Sequence, residues 1–323
     1  MKYFTKLFSN NKTVLAPMEA VNCASFRVLC KRYGAGLIYT DMVDTQQFLS
    51  KLKETGSEEE TVKHVINPQR DEAPLTIQLG SGEPEDTAQV TQIISKYAAH
   101  IDLNVGCPLG HMLGRKGGSY MMKHPDKLRK VFGAIIDNTR VPVTAKIRSG
   151  WSDEEQNAPE IAQQLEELGA SAIAIHARTR KQRYMARADW EMIKKVKERV
   201  SVPVIGNGDV LSGARAVTML GQTKCDAVML GRGAQGNPHI FTQTNAAIRG
   251  ERYEETTWAE RCKSFNEFLR LYKEREQRDK LSELQDHAGW WVAGEAKAQE
   301  LRARIRRAKN KKKLKKVFTP QAI

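Results

Sequence analysis

"SAIAIHARTRKQRYMARADWEMIKKVKERVSVPVIGNGD", residues 171–209, is the stretch from which the architecture can be read. A short apolar run at Ser171–Arg178 is followed by helical spacing from Trp190 to Val200, then by a second apolar run at Val202–Asp209. Strand, helix and strand in that order describe two parallel strands joined by a crossover helix. The same kind of run recurs as "TVLAPM" (13–18), "GLIYTDM" (36–42), "PLTIQLG" (74–80), "HIDLNVG" (100–106), "VPVTAKIR" (141–148) and "DAVMLGRG" (226–233), with helical patterns such as Pro159–Leu168 between them. Eight such units between Thr13 and Gly250 predict an α/β protein of the (β/α)8 TIM-barrel class. An open, doubly wound sheet is the competing arrangement, but no GxGxxG follows the first run.

Beyond Gly250 the pattern changes. In "WAERCKSFNEFLRLY", Trp258, Cys262, Phe265, Leu269 and Tyr272 recur at i, i+4, i+7, i+11 and i+14, one apolar stripe on a helix. A second helix is expected from Trp290 to about Ala308. The reading is therefore a catalytic barrel over residues 1–250 and a small all-helical C-terminal domain over 251–323, its helices starting near Thr256.

Composition narrows the function. With 323 residues, 40% of them hydrophobic, the chain can bury a large core. Its five cysteines (Cys23, Cys30, Cys107, Cys225, Cys262) form no CxxC pair and no His/Cys cluster at zinc-ligand spacing, so no metal is expected. That usage fits a reducing, cytoplasmic setting. No signal-peptide pattern and no run of about twenty apolar residues occurs, so no membrane partner is expected. The net charge of +14 points to a polyanionic partner, and it is unevenly placed. "RARIRRAKNKKKLKK" (302–316) carries ten basic residues and no acid, leaving only +4 for the remainder. Either it is a solvated end or it is a surface that meets RNA phosphates.

In a barrel, chemistry collects at the C-terminal ends of the strands. Here those ends carry Pro17-Met18-Glu19, Gln78, Asn104 with Cys107, Lys146 with Arg148, His176 with Arg178, Asn207-Gly208-Asp209 and Gly231-Arg232-Gly233. Each has an ordinary structural explanation; their shared position is what marks them. The glycine-bearing loops "GNGD" and "GRGAQGNP" match the usual phosphate site of such barrels, with Arg232 adding a cation. A lysine facing the barrel mouth is costly to bury unless it neutralises an anion, which Lys146 is placed to do.

In order and spacing, "APMEAVNCASFR", "IQLGS", "LNVGCP", "KIRSGW", "IHARTR", "IGNGD" and "MLGRGAQGNPHIF" resemble the tRNA-dihydrouridine synthases; "HAGWWVAGEAKAQELRARI" resembles that family's helical domain more loosely. The resemblance implies an FMN enzyme, with NADPH as reductant, that reduces the C5–C6 bond of particular tRNA uridines. Carried over by position, Pro17, Met18 and Glu19 would run along the flavin ring and Gln78 would bond its pyrimidine edge. Lys146 would face the negative charge near N1, and His176 would lie against the ring. Asn207, Gly208, Asp209, Gly231 and Arg232 would hold the phosphate, while Asn104 and Arg178 would address the uracil.

Under that reading the lone thiol at the mouth of the fourth strand acquires a purpose. Hydride transfer to C6 leaves enolate-like charge at C5 and O4, so a proton must reach C5. Cys107, with an ordinary pKa of about 8.5, stays protonated at neutral pH and suits the role of general acid; a buried structural cysteine is the alternative. Two departures stand out: Cys23 occupies a place where the family often has an acid, and the loop "LGHMLGRKGGSYMMKHP" brings its own His111 and Met112. Two rival functions are a flavin-dependent reductase or dehydrogenase of a free pyrimidine (dihydroorotate- or dihydropyrimidine-type), with little use for the basic end, and a non-catalytic RNA-binding protein, with little use for the strand-end residues.

Overall fold

The computed structural model describes residues 2–276 and 280–320. After a leading helix, α1 (Lys2–Asn10), the chain runs β1 (Thr13–Leu15), α2 (Ala24–Arg32), β2 (Leu37–Asp44), α3 (Thr45–Thr55), α4 (Glu58–Val65), β3 (Leu75–Gly80), α5 (Pro84–Ile94) and β4 (His100–Asn104). It continues through α6 (Gly110–Gly114), α7 (Tyr120–Lys123), α8 (Pro125–Ile136), β5 (Val143–Arg148), α9 (Ala158–Glu167), β6 (Ala172–His176), α10 (Trp190–Arg199) and β7 (Val204–Asn207). Next come α11 (Gly213–Thr223), β8 (Ala227–Leu230) and α12 (His239–Ile248), then four further helices: α13 (Trp258–Arg275), α14 (Leu281–Trp291), α15 (Ala298–Arg307) and α16 (Lys311–Lys315). The eight strands pair in parallel, in sequence order, and β8 closes on β1. The expected TIM barrel is what forms.

Alternation along each strand divides the side chains. Ile173 and Ile175 of β6 join the large apolar layer beneath the helices, whereas Ala172 and Ala174 point into the barrel with Val14, Leu37, Tyr39, Ile205, Ala227 and Met229. The inner cluster is plugged from below by α1, which the sequence reading did not anticipate. Phe4 and Phe8, at i and i+4, are buried in it, and the Phe4 ring lies 4.6 Å from His100, which sits in the lowest inward layer of β4. Two phenylalanines so placed contribute about 1.5–3 kcal/mol each. Burial holds His100 down at about 3, so it packs as a neutral ring.

The boundary at residue 250 falls in the segment between α12 and α13. Thr257 and Glu260 form a reciprocal capping box that starts α13. Its buried stripe is wider than expected, taking in Phe268 and Leu271, while Leu269 is only half-buried. The single helix expected over 290–308 is instead two, because α14 ends at Trp291 and Gly294 adopts φ +85°, a left-handed turn that stops it. The basic end is no loose tail. Leu314, Val317 and Phe318 are buried, and the Phe318 ring stacks on Phe265 at 3.7 Å. Trp291, fully buried, meets Phe26 of α2 edge-on at 6.0 Å, so the helices share one apolar layer with the barrel's exterior. Among the described residues no helix is long and apolar enough to cross a membrane.

Candidate active site

The inward positions change character toward the top of each strand. On β5 the inward series ends in Lys146 and Arg148; on β4 it runs His100, Asp102, Asn104; on β6 it ends in His176. Register then sets neighbours: Gln78 beside Asp102, Asn104 beside Lys146, and Arg148 beside His176, itself beside Asn207. The result is a cavity of about 460 Å³ at the C-terminal mouth, walled by all fourteen site residues singled out from the sequence. The cavity wall also includes Arg148, at its strand end, and Asp41, Tyr184 and Gln235, which no local sequence pattern marks. Tyr184 lies in the long β6–α10 loop, and only the folded chain brings that loop over the barrel.

A buried amide relay fixes the floor. Asp102 accepts from Gln78 Nε2 (2.8 Å) and from Thr144 Oγ1 (2.6 Å), and Gln78 Oε1 in turn accepts from Asn104 Nδ2 (2.8 Å). Asn104 Oδ1 receives the backbone N–H groups of Gly106 (3.0 Å) and Cys107 (2.8 Å). Asn104 thus pins the Cys107 turn while keeping one Nδ2 hydrogen uncommitted. Gly118, at φ +58°, closes the turn from below; a Cβ there would stand 2.7 Å from the Cys107 carbonyl. The half-buried Cys107 thiol is pushed up by burial, with Glu19 adding to the effect, so it holds its proton through neutral pH. His111 points to solvent and Met112 is buried.

The wall that continues from β5 round to β8 is strongly cationic. Lys146 is lowered to about 8, by burial first and then by Arg148, with Asp102 pulling the other way; its ammonium has no ion pair among the described residues. Burial, reinforced by Lys146, Arg148, Arg178 and Arg232, depresses His176 well below the usual imidazole range and keeps it neutral. Its Nε2 lies 3.1 Å from Arg178 Nη1, which can only donate, so Nδ1 carries the ring's proton. Arg178 is almost wholly committed: Nε donates to the Ala186 carbonyl (2.7 Å), and Nη2 to both oxygens of Asp209 (2.6 and 2.8 Å). Asp209 also takes the Ala188 N–H and Arg232 Nη2 (3.0 Å). Burial tends to raise its carboxyl, but Arg178, Ala188 and Arg232 outweigh that and hold it below the usual range. Along the rim, the backbone N–H groups of Gly208, Gly231 and Arg232 find no acceptor among the described residues.

Away from the cavity, Cys23 meets His287 of α14, Sγ to Nε2 3.8 Å, and Glu283 completes a group whose ligand atoms lie within 4.8 Å. Linear spacing does not reveal this cluster. Tyr272 donates to Glu283 at 3.1 Å, and His287 packs among Phe268, Trp290 and Trp291, making a polar seam where the helices meet the barrel.

A parallel barrel with a cationic, ligand-sized cavity over the C-terminal ends of its strands defines a TIM-barrel enzyme. The family described as "Dihydrouridine synthase (Dus)" matches residues 14–323. The chain is 34% identical over 292 residues to tRNA-dihydrouridine synthase B of Shewanella oneidensis, covering 90% of this chain and 88% of that one. It is 33% identical over 302 residues to a probable tRNA-dihydrouridine synthase of Rickettsia conorii, covering 92% and 88%. The chain belongs to the dihydrouridine synthase family, and it is an oxidoreductase of that family. Solved structures share the fold: a histamine dehydrogenase of Rhizobium (TM-score 0.54, 16% identity, covering 81% of this chain and 49% of that one) and a morphinone reductase (TM-score 0.51, 14% identity, 78% and 90%).

Proposed function

We propose that this protein reduces particular uridines of tRNA to 5,6-dihydrouridine, with FMN seated in the barrel mouth, NADPH as reductant and Cys107 as the proton donor. The observation that carries the reading is that one cavity holds both a protonated thiol on a pinned turn and a lysine with no ion pair among the described residues. That donor set fits a flavin phosphate and ring: the N–H groups of Gly208, Gly231 and Arg232, without an acceptor among the described residues, belong to the same cavity wall as the Arg232 guanidinium, and Lys146 offers a further cation. When bound, FMN supplies the hydride for C6.

The chain's residues do the rest. Pro17, Met18 and Glu19 line one side of the ring site, Gln78 presents its amide to the pyrimidine edge, and neutral His176 offers Nδ1–H. Asn207 with the glycine rim and Arg232 hold the phosphate. Asp209, being an anion, serves that phosphate indirectly by fixing Arg232 and Arg178. Asn104 offers its remaining hydrogen to the uracil, with Arg178 at the wall behind. Cys107 releases its proton toward C5 and is reprotonated from solvent. The test is incubation of an unmodified tRNA transcript with protein, FMN and NADPH. Dihydrouridine in the transcript is expected; reduction of free uridine or orotate in its place would favour the free-pyrimidine reading.

A further inference from the structure

The β6–α10 loop carries a side chain that the reaction outlined above does not use. Met185 is 92% exposed and stands next to Tyr184, whose ring faces the cavity 5.9 Å from His176. A single exposed apolar residue is ordinary on a protein surface. What sets Met185 apart is how many hydrogen bonds anchor the backbone on either side of it, and where it stands. Its own N–H donates to the Gln182 carbonyl (3.0 Å). On one side Gln182 is bonded to Thr179 and Asp153, and Arg148 Nη1 holds the Arg183 carbonyl. On the other side Arg178 Nε holds the Ala186 carbonyl and Asp209 the Ala188 N–H. Arg183 is kept at φ +49°, a conformation that a non-glycine residue holds only when its surroundings impose it. Lys181, Arg183 and Arg187 flank the tip, all exposed, and residues 178–187 contain no acid.

An apolar side chain on an anchored loop, flanked by cations beside the cavity mouth, has the chemistry of a group that enters a nucleic-acid stack: cations meet phosphates while the apolar group fills the gap left by a displaced base. We propose that Met185 is a wedge inserted beside the reacting uridine, holding that uridine turned out toward the cavity. The inference rests on the reading that the substrate is folded RNA.

The reduced position is first mapped with wild-type protein. Met185→Ser and Met185→Leu are then assayed on the same tRNA transcript and on transcripts carrying an abasic residue immediately 5′ or 3′ of that uridine. Met185→Ser should lose about 10- to 100-fold in kcat/KM on intact transcript, the scale of one buried methionine, while Met185→Leu stays within about 3-fold. On one of the two abasic transcripts, where no base must be parted from the uridine, the loss for Met185→Ser should shrink below about 3-fold. Flavin content and Tm should match wild type for both variants. Wild-type activity of Met185→Ser on intact transcript overturns the wedge, as does an equal loss on all three RNAs, or a change confined to oligomeric state by light scattering. Wild-type protein that reduces none of the RNAs overturns the underlying reading, and the wedge with it.

Discussion

Arg148 donates from Nε to the Gly106 carbonyl at 2.7 Å, tying the end of β5 to the turn that carries Cys107. The same guanidinium reaches the carbonyls of Thr179 (3.1 Å) and Arg183 (3.3 Å), so one buried side chain joins two cavity loops. Lysine has a single ammonium and cannot span both loops. Arg148→Lys should therefore slow tRNA-dependent reoxidation of the reduced enzyme by about 10- to 100-fold, the scale of an ångström-sized misplacement. Reduction by NADPH should stay within about 3-fold of wild type. Stopped-flow measurement of the two half-reactions separates them, and equal slowing of both would show that the clamp is not specific to the Cys107 turn.

The rim proposed to hold the phosphate gives a second prediction. Arg232 is half-exposed and anchored by Asp209 at 3.0 Å, so its loss should leave the fold intact. Arg232→Ala should weaken FMN binding by about 10- to 100-fold, the worth of one charge-assisted bond of about 1.5–3 kcal/mol. Asp209→Asn should weaken it in the same direction, by releasing Arg232 and Arg178 together. Fluorescence titration of flavin-free protein checks both; tighter binding by Asp209→Asn would mean that its negative charge opposes the phosphate more than it positions the arginines.

Lys146 makes the site pH-dependent. Its folded-state value of about 8 lies below the ordinary lysine value of about 10.4. Between these the unfolded chain keeps a proton that the folded chain has released, so the stability of flavin-free protein should rise with pH across that window. Lys146→Met should be more stable than wild type at neutral pH by about 1–2 kcal/mol, since the ammonium faces an open cavity rather than a sealed core. An anionic ligand favours the ammonium, so wild-type affinity for FMN should fall as pH rises through about 8, and that step should vanish in the variant. Thermal melts and FMN titrations from about pH 6.5 to 10.5 test this; parallel curves for the two proteins would contradict it.

The basic C-terminal end calls for charge substitutions rather than truncation, because Leu314, Val317 and Phe318 are part of the core. Phe318→Ala should cost about 3–5 kcal/mol. Replacing the exposed Lys312, Lys313, Lys315 and Lys316 by Gln should leave Tm and flavin content nearly unchanged. It should weaken tRNA binding and flatten the slope of log K against log salt by about 0.9 or less for each phosphate no longer neutralised. Superimposable salt titrations would place the tRNA surface elsewhere.

The barrel was legible because each strand's apolar run and each crossover helix is a local pattern, repeated eight times. Which residues face the cavity was legible because strand ends in this fold share one mouth. Pairings were not: that Asp209 grips Arg178 and Arg232, or that Arg148 bridges two loops, depends on side chains brought together over 23 to 35 residues of chain. Phe4 and Phe8 precede the first strand, and no local pattern says that their helix seals the barrel. Gly294 in "VAGEA" was the available sign that the helix after Trp290 breaks, and the i, i+3, i+4 spacing of Leu314, Val317 and Phe318 was the sign, hidden among lysines, that the basic end packs.

The proposed mechanism gives Cys107 one task, delivery of the proton to C5. Cys107→Ala should bind FMN with wild-type affinity and accept electrons from NADPH at the wild-type rate, because neither step uses the thiol. Its reoxidation by tRNA should slow by about 100-fold or more, the usual scale for losing a general acid. In wild-type protein that same half-reaction should be flat through neutral pH and fail only on the alkaline side, since burial raises the thiol above its ordinary value. The direct measurement is single-turnover reoxidation of pre-reduced wild-type and Cys107→Ala enzyme by tRNA, followed by flavin absorbance across pH. A slow variant with intact reduction is the result predicted; a variant reoxidised by tRNA at the wild-type rate would contradict the account and return Cys107 to a structural role.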